Sequence, residues 1–242
     1  VALLNTLPQD IDDADYEKLK SDLCELFSDQ EKRTFETFLA PSGTDLVYFP
    51  LLFKQILERN KKIIYVISCP EELGGGTTVA AAGSFYARKS QFGTHLNQRG
   101  PLNSHLEVEL VLLSARDVDG NIMGHEDAIV SIIENKEPDT TIIVNLVIGS
   151  KSGIEDNLSL IPKYKEEALF VVDMCQMRVT NELINNTINH GACVMVTGSK
   201  FFQAPPFCAA LLVPETLVDQ IEQQDVSIEV DGFNRIFSRQ DF

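Results

Sequence analysis

The strongest constraint on this chain is a series of short apolar runs separated by helix-type and loop segments. The runs are "KIIYVIS" (62–68), "LEVELVLLS" (106–114), "TTIIVNLVIGS" (140–150), "ALFVVD" (168–173), "CVMVTGS" (193–199) and "AALLVP" (209–214). They are nearly continuous in Val, Ile and Leu, without the in–out alternation of a half-solvated strand. Such strands are buried on both faces, which happens when helices cover both sides of a mostly parallel sheet. Segments 75–90, 124–136 and 180–191 carry the intervening helical patterns. The loop between the last two runs has no helix, so those strands should run antiparallel. The expected fold class is α/β, three layers, with a mostly parallel sheet and its last strand reversed.

Around this series, residues 12–40 place Leu19, Leu23, Leu26, Phe27, Phe35, Phe38 and Leu39 at helical spacing, read as two amphipathic helices. Ser42 reads as the N-cap of a further helix ending near Asn60. After Glu215 the pattern weakens. The expected division is a helical segment over 1–40, a large domain over 41–215, and the start of a small, mostly absent C-terminal domain or linker over 216–242.

Composition narrows the partners. With 20 basic and 36 acidic side chains, the formal charge is −16, which argues against nucleic acid and anionic membranes. No apolar run reaches the ~18 residues of a membrane span. The five cysteines are scattered without a Cys-x-x-Cys pair, so neither a disulfide framework nor a zinc site is suggested. Buried thiols in a reducing, cytoplasmic compartment are expected.

Ligands of open α/β sheets bind at the carboxyl ends of the strands. Asp173 ends an apolar run there, where a carboxylate needs a cationic partner to stay ionised. "APSGTD" offers a helix start with free N–H groups and hydroxyls, suited to phosphate. The Gly74-Gly75-Gly76 turn lacks the G-x-G-x-x-G spacing of a dinucleotide site and reads as a tight turn or a close backbone approach. Gly-Ser-Lys occurs twice, at 149–151 and 198–200. Lys200 follows Asp173 by one helix and one strand, and a lysine near a cationic ring and a phosphate can act as a nucleophilic amine. Lys151 precedes Asp173 and reads as an exposed loop lysine.

Taken in order, this series resembles the fold-type I pyridoxal 5′-phosphate enzymes, the aspartate aminotransferase superfamily, in its class V-like branch. The resemblance covers roughly residues 40–215 and is strongest over "VVDMCQMR…VMVTGSKFFQAPPFCAALLVP". It implies that Lys200 forms the Schiff base and Asp173 pairs with the pyridine nitrogen. Gln176 would bond the phenolic oxygen. Ser42, Gly43, Thr44, Thr197 and Ser199 would cradle the phosphate, and Ser150 is a lesser candidate near the phenolic oxygen or substrate. The residue over the ring would be Glu72, where the family often has His or an aromatic. The substrate-gripping arginine is not assigned between Arg235 and Arg239, and Cys175 reads as structural. "FFQAPPF" would close the pocket floor. The implied function is amino-acid or amine chemistry of the aminotransferase or lyase type in a homodimer. The rival readings are a degenerate homologue serving as an interaction module and, last, a nucleotide-binding protein.

Overall fold

The computed structural model describes residues 13–28, 34–205, 208–224 and 232–237. Its elements in chain order are α1 (Asp13–Phe27), β1 (Phe35–Ala40), α2 (Gly43–Leu46), α3 (Tyr48–Leu57), β2 (Lys62–Ser68), α4 (Thr77–Ala81), β3 (Val108–Leu113) and α5 (Glu126–Glu134). After these come β4 (Thr140–Val147), α6 (Leu160–Tyr164), β5 (Leu169–Asp173), α7 (Asn181–Asn189), β6 (Cys193–Thr197), β7 (Ala209–Pro214) and α8 (Glu215–Glu222).

One seven-stranded sheet runs β1-β7-β6-β5-β4-β2-β3. Strands β2 to β6 are mutually parallel, and β7 is antiparallel to both β6 and β1. The expected reversal at the end of the series is present. β4 lies inside the sheet and all eight of its residues are buried, which explains a run that is apolar apart from its two threonines and Asn145. One face packs Phe49, Phe53, Tyr65, Val171 and Leu211 under α3. The other packs Phe27, Phe35, Ile133, Ile161 and Phe170 under α1, α5 and α6.

Two sequence expectations change. Residues 35–40 are a strand rather than a second helix: Phe35 to Ala40 pair with Pro214 to Ala209. Without β1, the N–H and C=O groups along β7 would lie open as a sheet edge, and Phe35 and Thr37 have the aromatic and β-branched shapes that pack on a pleated surface. The helix expected over 75–90 is short, ending at Ala81. Gly83, at φ +68, breaks it, and the chain then runs irregularly, with Ser84 bridged to Pro101. Beyond β7, α8 lies against α3 and β1, and residues 233–237 fold back so that Phe237 stacks on Phe49 at 4.1 Å.

Candidate active site

Register brings the proposed residues to one edge of the sheet. Val147, Asp173 and Met195 stand abreast on β4, β5 and β6. Asp173 is the last residue of β5. It is therefore flanked on one side by the Gly149–Lys151 loop leaving β4 and on the other by the Gly198–Lys200 loop leaving β6. Burial raises the proton affinity of its carboxyl. The N–H of Cys175, donated to Oδ1 at 2.8 Å, and the charges of Lys151 and Lys200 act against that rise.

The α2 turn closes on these strand ends from the neighbouring connection. Ser42 caps α2: its Oγ accepts the Asp45 N–H at 3.3 Å and donates to Asp45 Oδ2 at 2.6 Å. The buried Asp45 also accepts the Tyr86 hydroxyl at 2.8 Å. Tyr48 carries the brace onward, donating to the Ser84 carbonyl at 2.8 Å and accepting the Tyr86 N–H at 3.3 Å. Gly43 is placed for closeness: a Cβ there would stand 2.9 Å from Cys175 Sγ and 3.6 Å from Thr197 Cγ2. The turn thus meets both Asp173's own loop and the end of β6. Thr197 Oγ1 donates to the Cys175 carbonyl at 3.1 Å, tying β6 to that loop.

The triple glycine turn is explained by the same crowding. A Cβ on Gly74 would approach Thr44 Oγ1 to 3.1 Å, and one on Gly76 would meet the Tyr86 ring at 2.7 Å. These glycines make room for α2 and the tyrosine. Glu72, just before them, accepts the N–H of Ser152 at 2.9 Å and its hydroxyl at 2.7 Å. The Ser152 hydroxyl is the main cause that holds the Glu72 carboxyl below its usual range. Lys151 donates from Nζ to the Leu73 carbonyl. Its residue is exposed, as expected of a loop lysine, yet its amine is tied to this turn and its charge bears on Asp173.

Ser42, Gly43, Asp173 and Thr197 therefore converge. Gln176 is half-buried three residues past Asp173, and Ser199 and Lys200 are exposed on the β6–β7 loop. Phe201 and Phe202 are also exposed, and Phe202 and Ala204 of "FFQAPPF" line the adjoining cavity; Pro206 and Phe207 lie outside the described residues. Ser150 is buried and its Oγ accepts the Ile154 N–H at 2.9 Å, which shapes the Lys151 loop. Arg235 is exposed, while Arg239 lies outside the described residues. A cavity of about 1120 Å³ adjoins the site at Ser42, Thr197 and Gly198, and extends away from Asp173 toward Leu19 and Leu23 of α1. Sequence reading missed the Asp45–Tyr86 brace and the link from Glu72 and Leu73 to the 151–152 loop. The repeated Gly-Ser-Lys was the available signal for the latter.

No helix among the described residues is long and apolar enough to cross a membrane. No protein-family model matches the sequence, and no curated protein matches it. Solved structures do match in fold. Mouse CSAD in its apo form is 19% identical with a TM-score of 0.53, over 91% of this chain and 47% of its own. A glutamate decarboxylase domain from Vibrio parahaemolyticus is 13% identical with a TM-score of 0.55, over 96% and 51%. Alanine–glyoxylate aminotransferase from Nostoc sp. is 12% identical with a TM-score of 0.53, over 91% and 52%. The chain spans about half the length of these structures. Together with these matches, the mostly parallel sheet and reversed β7 give this chain the fold of the fold-type I pyridoxal 5′-phosphate enzymes.

Proposed function

We propose that this chain is the cofactor-binding part of a pyridoxal phosphate enzyme acting on an amino acid or amine, of the aminotransferase or lyase type. The observation that carries this reading is Asp173: a carboxylate at a strand end, its proton affinity raised by burial, between two lysine-bearing loops and beside the α2 turn. Such a group fits a protonated ring nitrogen, which would keep it ionised. The bare Gly43, drawn against Cys175 and Thr197, fits a phosphate seated on the first N–H groups of α2.

In this reading Lys200 holds the cofactor covalently, Asp173 its ring nitrogen and Gln176 its phenolic oxygen. Ser42, Gly43, Thr44, Thr197 and Ser199 hold its phosphate. The bound cofactor supplies an electron sink for negative charge at the substrate's Cα. Lys200, on its exposed loop, would take and return the proton at that carbon once the substrate's amine has displaced its own and left it free. Asp173 keeps its negative charge and so fixes the proton on the ring nitrogen. The Tyr86–Asp45–Ser42 brace holds the phosphate turn in place. Glu72, proposed beside the ring, also positions the Lys151 loop through Ser152. Two copies are proposed to associate as a homodimer.

The test is direct. Protein titrated with pyridoxal phosphate should turn yellow, and borohydride should fix the label on Lys200, with no label in Lys200→Ala. Label on Lys151 would move the amine and keep the class. Colourless protein without adduct would overturn the reading in favour of a non-catalytic homologue.

A further inference from the structure

Three connectors bring Cys69, His125 and Asp156 together, and Asp156 reaches Val147, the β4 neighbour of Asp173. Cys69 follows β2, His125 precedes α5, and Asp156 lies between β4 and α6. A sulfur, a ring nitrogen and a carboxylate oxygen from these residues all lie within 4.8 Å of one another. Cys69 is fully buried, and the side chains of His125 and Asp156 are 6% and 7% exposed.

The outer partners assign each atom a role. His125 Nε2 is 3.0 Å from the Ser114 carbonyl. A carbonyl only accepts, so Nε2 carries the hydrogen and Nδ1 presents its lone pair or a second proton. Nδ1 faces Asp156 Oδ1 at 3.0 Å. The other oxygen, Oδ2, is engaged by the Val147 N–H at 2.7 Å and by the Ser68 hydroxyl. Two groups that both present lone pairs cannot meet at that distance unless something positive lies between them. A proton on Nδ1 serves, and so does a metal ion.

Charge balance makes the two states equivalent in this buried place. Imidazolium, carboxylate and thiol sum to zero. So do neutral imidazole, carboxylate, thiolate and one divalent cation. The cation replaces two protons, one from Nδ1 and one from Sγ, and leaves no net charge to bury. A backbone carbonyl on the far ring nitrogen and hydrogen bonds on the far carboxylate oxygen are the outer partners that orient metal ligands. We propose that Cys69, His125 and Asp156 form a zinc-type divalent metal site pinning three connectors of the sheet, independent of any cofactor at Asp173. One thiolate, one imidazole and one carboxylate are the ligand types that zinc takes in tetrahedral sites.

Cobalt(II) is the probe. Metal-free protein should bind one equivalent and show a thiolate-to-cobalt charge-transfer band that zinc abolishes by displacement. Cys69→Ser should lose the band, His125→Gln should weaken binding by more than the about 10–100-fold that loss of an outer partner alone brings, and a Cys208→Ser control should keep both. No stoichiometric binding to the wild type, or a band surviving in Cys69→Ser, would overturn the site. Should Cys69→Ser fail to fold, X-ray absorption on the wild-type zinc complex decides. One sulfur among nitrogen and oxygen neighbours supports the site, and an all-oxygen or multi-sulfur shell refutes it.

Discussion

Tyr65 stands on β2 with its ring in the core and its hydroxyl fully buried, the one side-chain polar atom among the described residues found buried without a hydrogen-bond partner. Burial, with Cys193 and Asp173 adding, pushes its phenol far above the usual range, so it stays neutral. An unpaired buried hydroxyl costs ~1–3 kcal/mol, and removing it with the ring kept in place recovers part of that. Tyr65→Phe is therefore expected to raise stability by about 1 kcal/mol in urea unfolding. A loss instead would show that a bound water satisfies the hydroxyl. Asp173 tells a related story. Both groups are polar atoms that the core tolerates on the face beneath the α2 turn, and of the two only Asp173 could be singled out from sequence. It ends an apolar run, whereas Tyr65 sits inside one and reads as another large core residue.

Helices and strands are joined by contacts of different legibility. The end of α3 is pinned to β4 by Glu58, which accepts Lys54 at 2.6 Å, Lys61 at 2.9 Å and the Thr141 hydroxyl at 2.7 Å. Burial pushes the Glu58 carboxyl up, but the hydrogen bonds from Lys54 and Lys61, the Lys54 charge and the Thr141 hydroxyl outweigh it and hold it at about 2. Its folded value is thus below its unfolded one. The resulting stability is fully present above pH ~4.5 and is lost as pH falls toward 2. Discounted for its partial exposure, this amounts to about 1–2 kcal/mol. Thermal melts of wild type should fall faster than those of Glu58→Gln between pH 5 and about 3; parallel curves would remove Glu58 from the account. The strands of the apolar series, Ser42 and Asp173 were legible because local pattern places them: a run's last residue, a helix cap. β1 was misread because Phe35, Phe38 and Leu39 fit a helical period over a stretch too short to reject it. The Glu72–Ser152 contact joins residues 80 apart and has no local signature at all.

The whole sheet closes through its two most distant strands. β1 has one neighbour, β7, and Ala40 meets Ala209 across that ladder. α1 in turn packs on β1, with Cys24 and Phe27 in the same cluster as Phe35. A chain ending at Phe207 should therefore lose more than one strand. It is expected to unfold without a sharp cooperative transition in circular dichroism and to bind no pyridoxal phosphate. An unchanged unfolding midpoint would show that the β1–β7 ladder adds nothing.

That ladder also sets an order of events. The α2 turn hangs from the end of β1, so its docking against Cys175 and Thr197 depends on a strand whose partner lies near the other end of the described chain. Closing so long a loop carries an entropic cost that local contacts do not offset in advance. On the ribosome, β2 to β6 can pair as they emerge, while β1 waits through their synthesis for β7. The α2 turn, synthesised before β2 to β6, is thus among the last parts of the candidate site to be assembled.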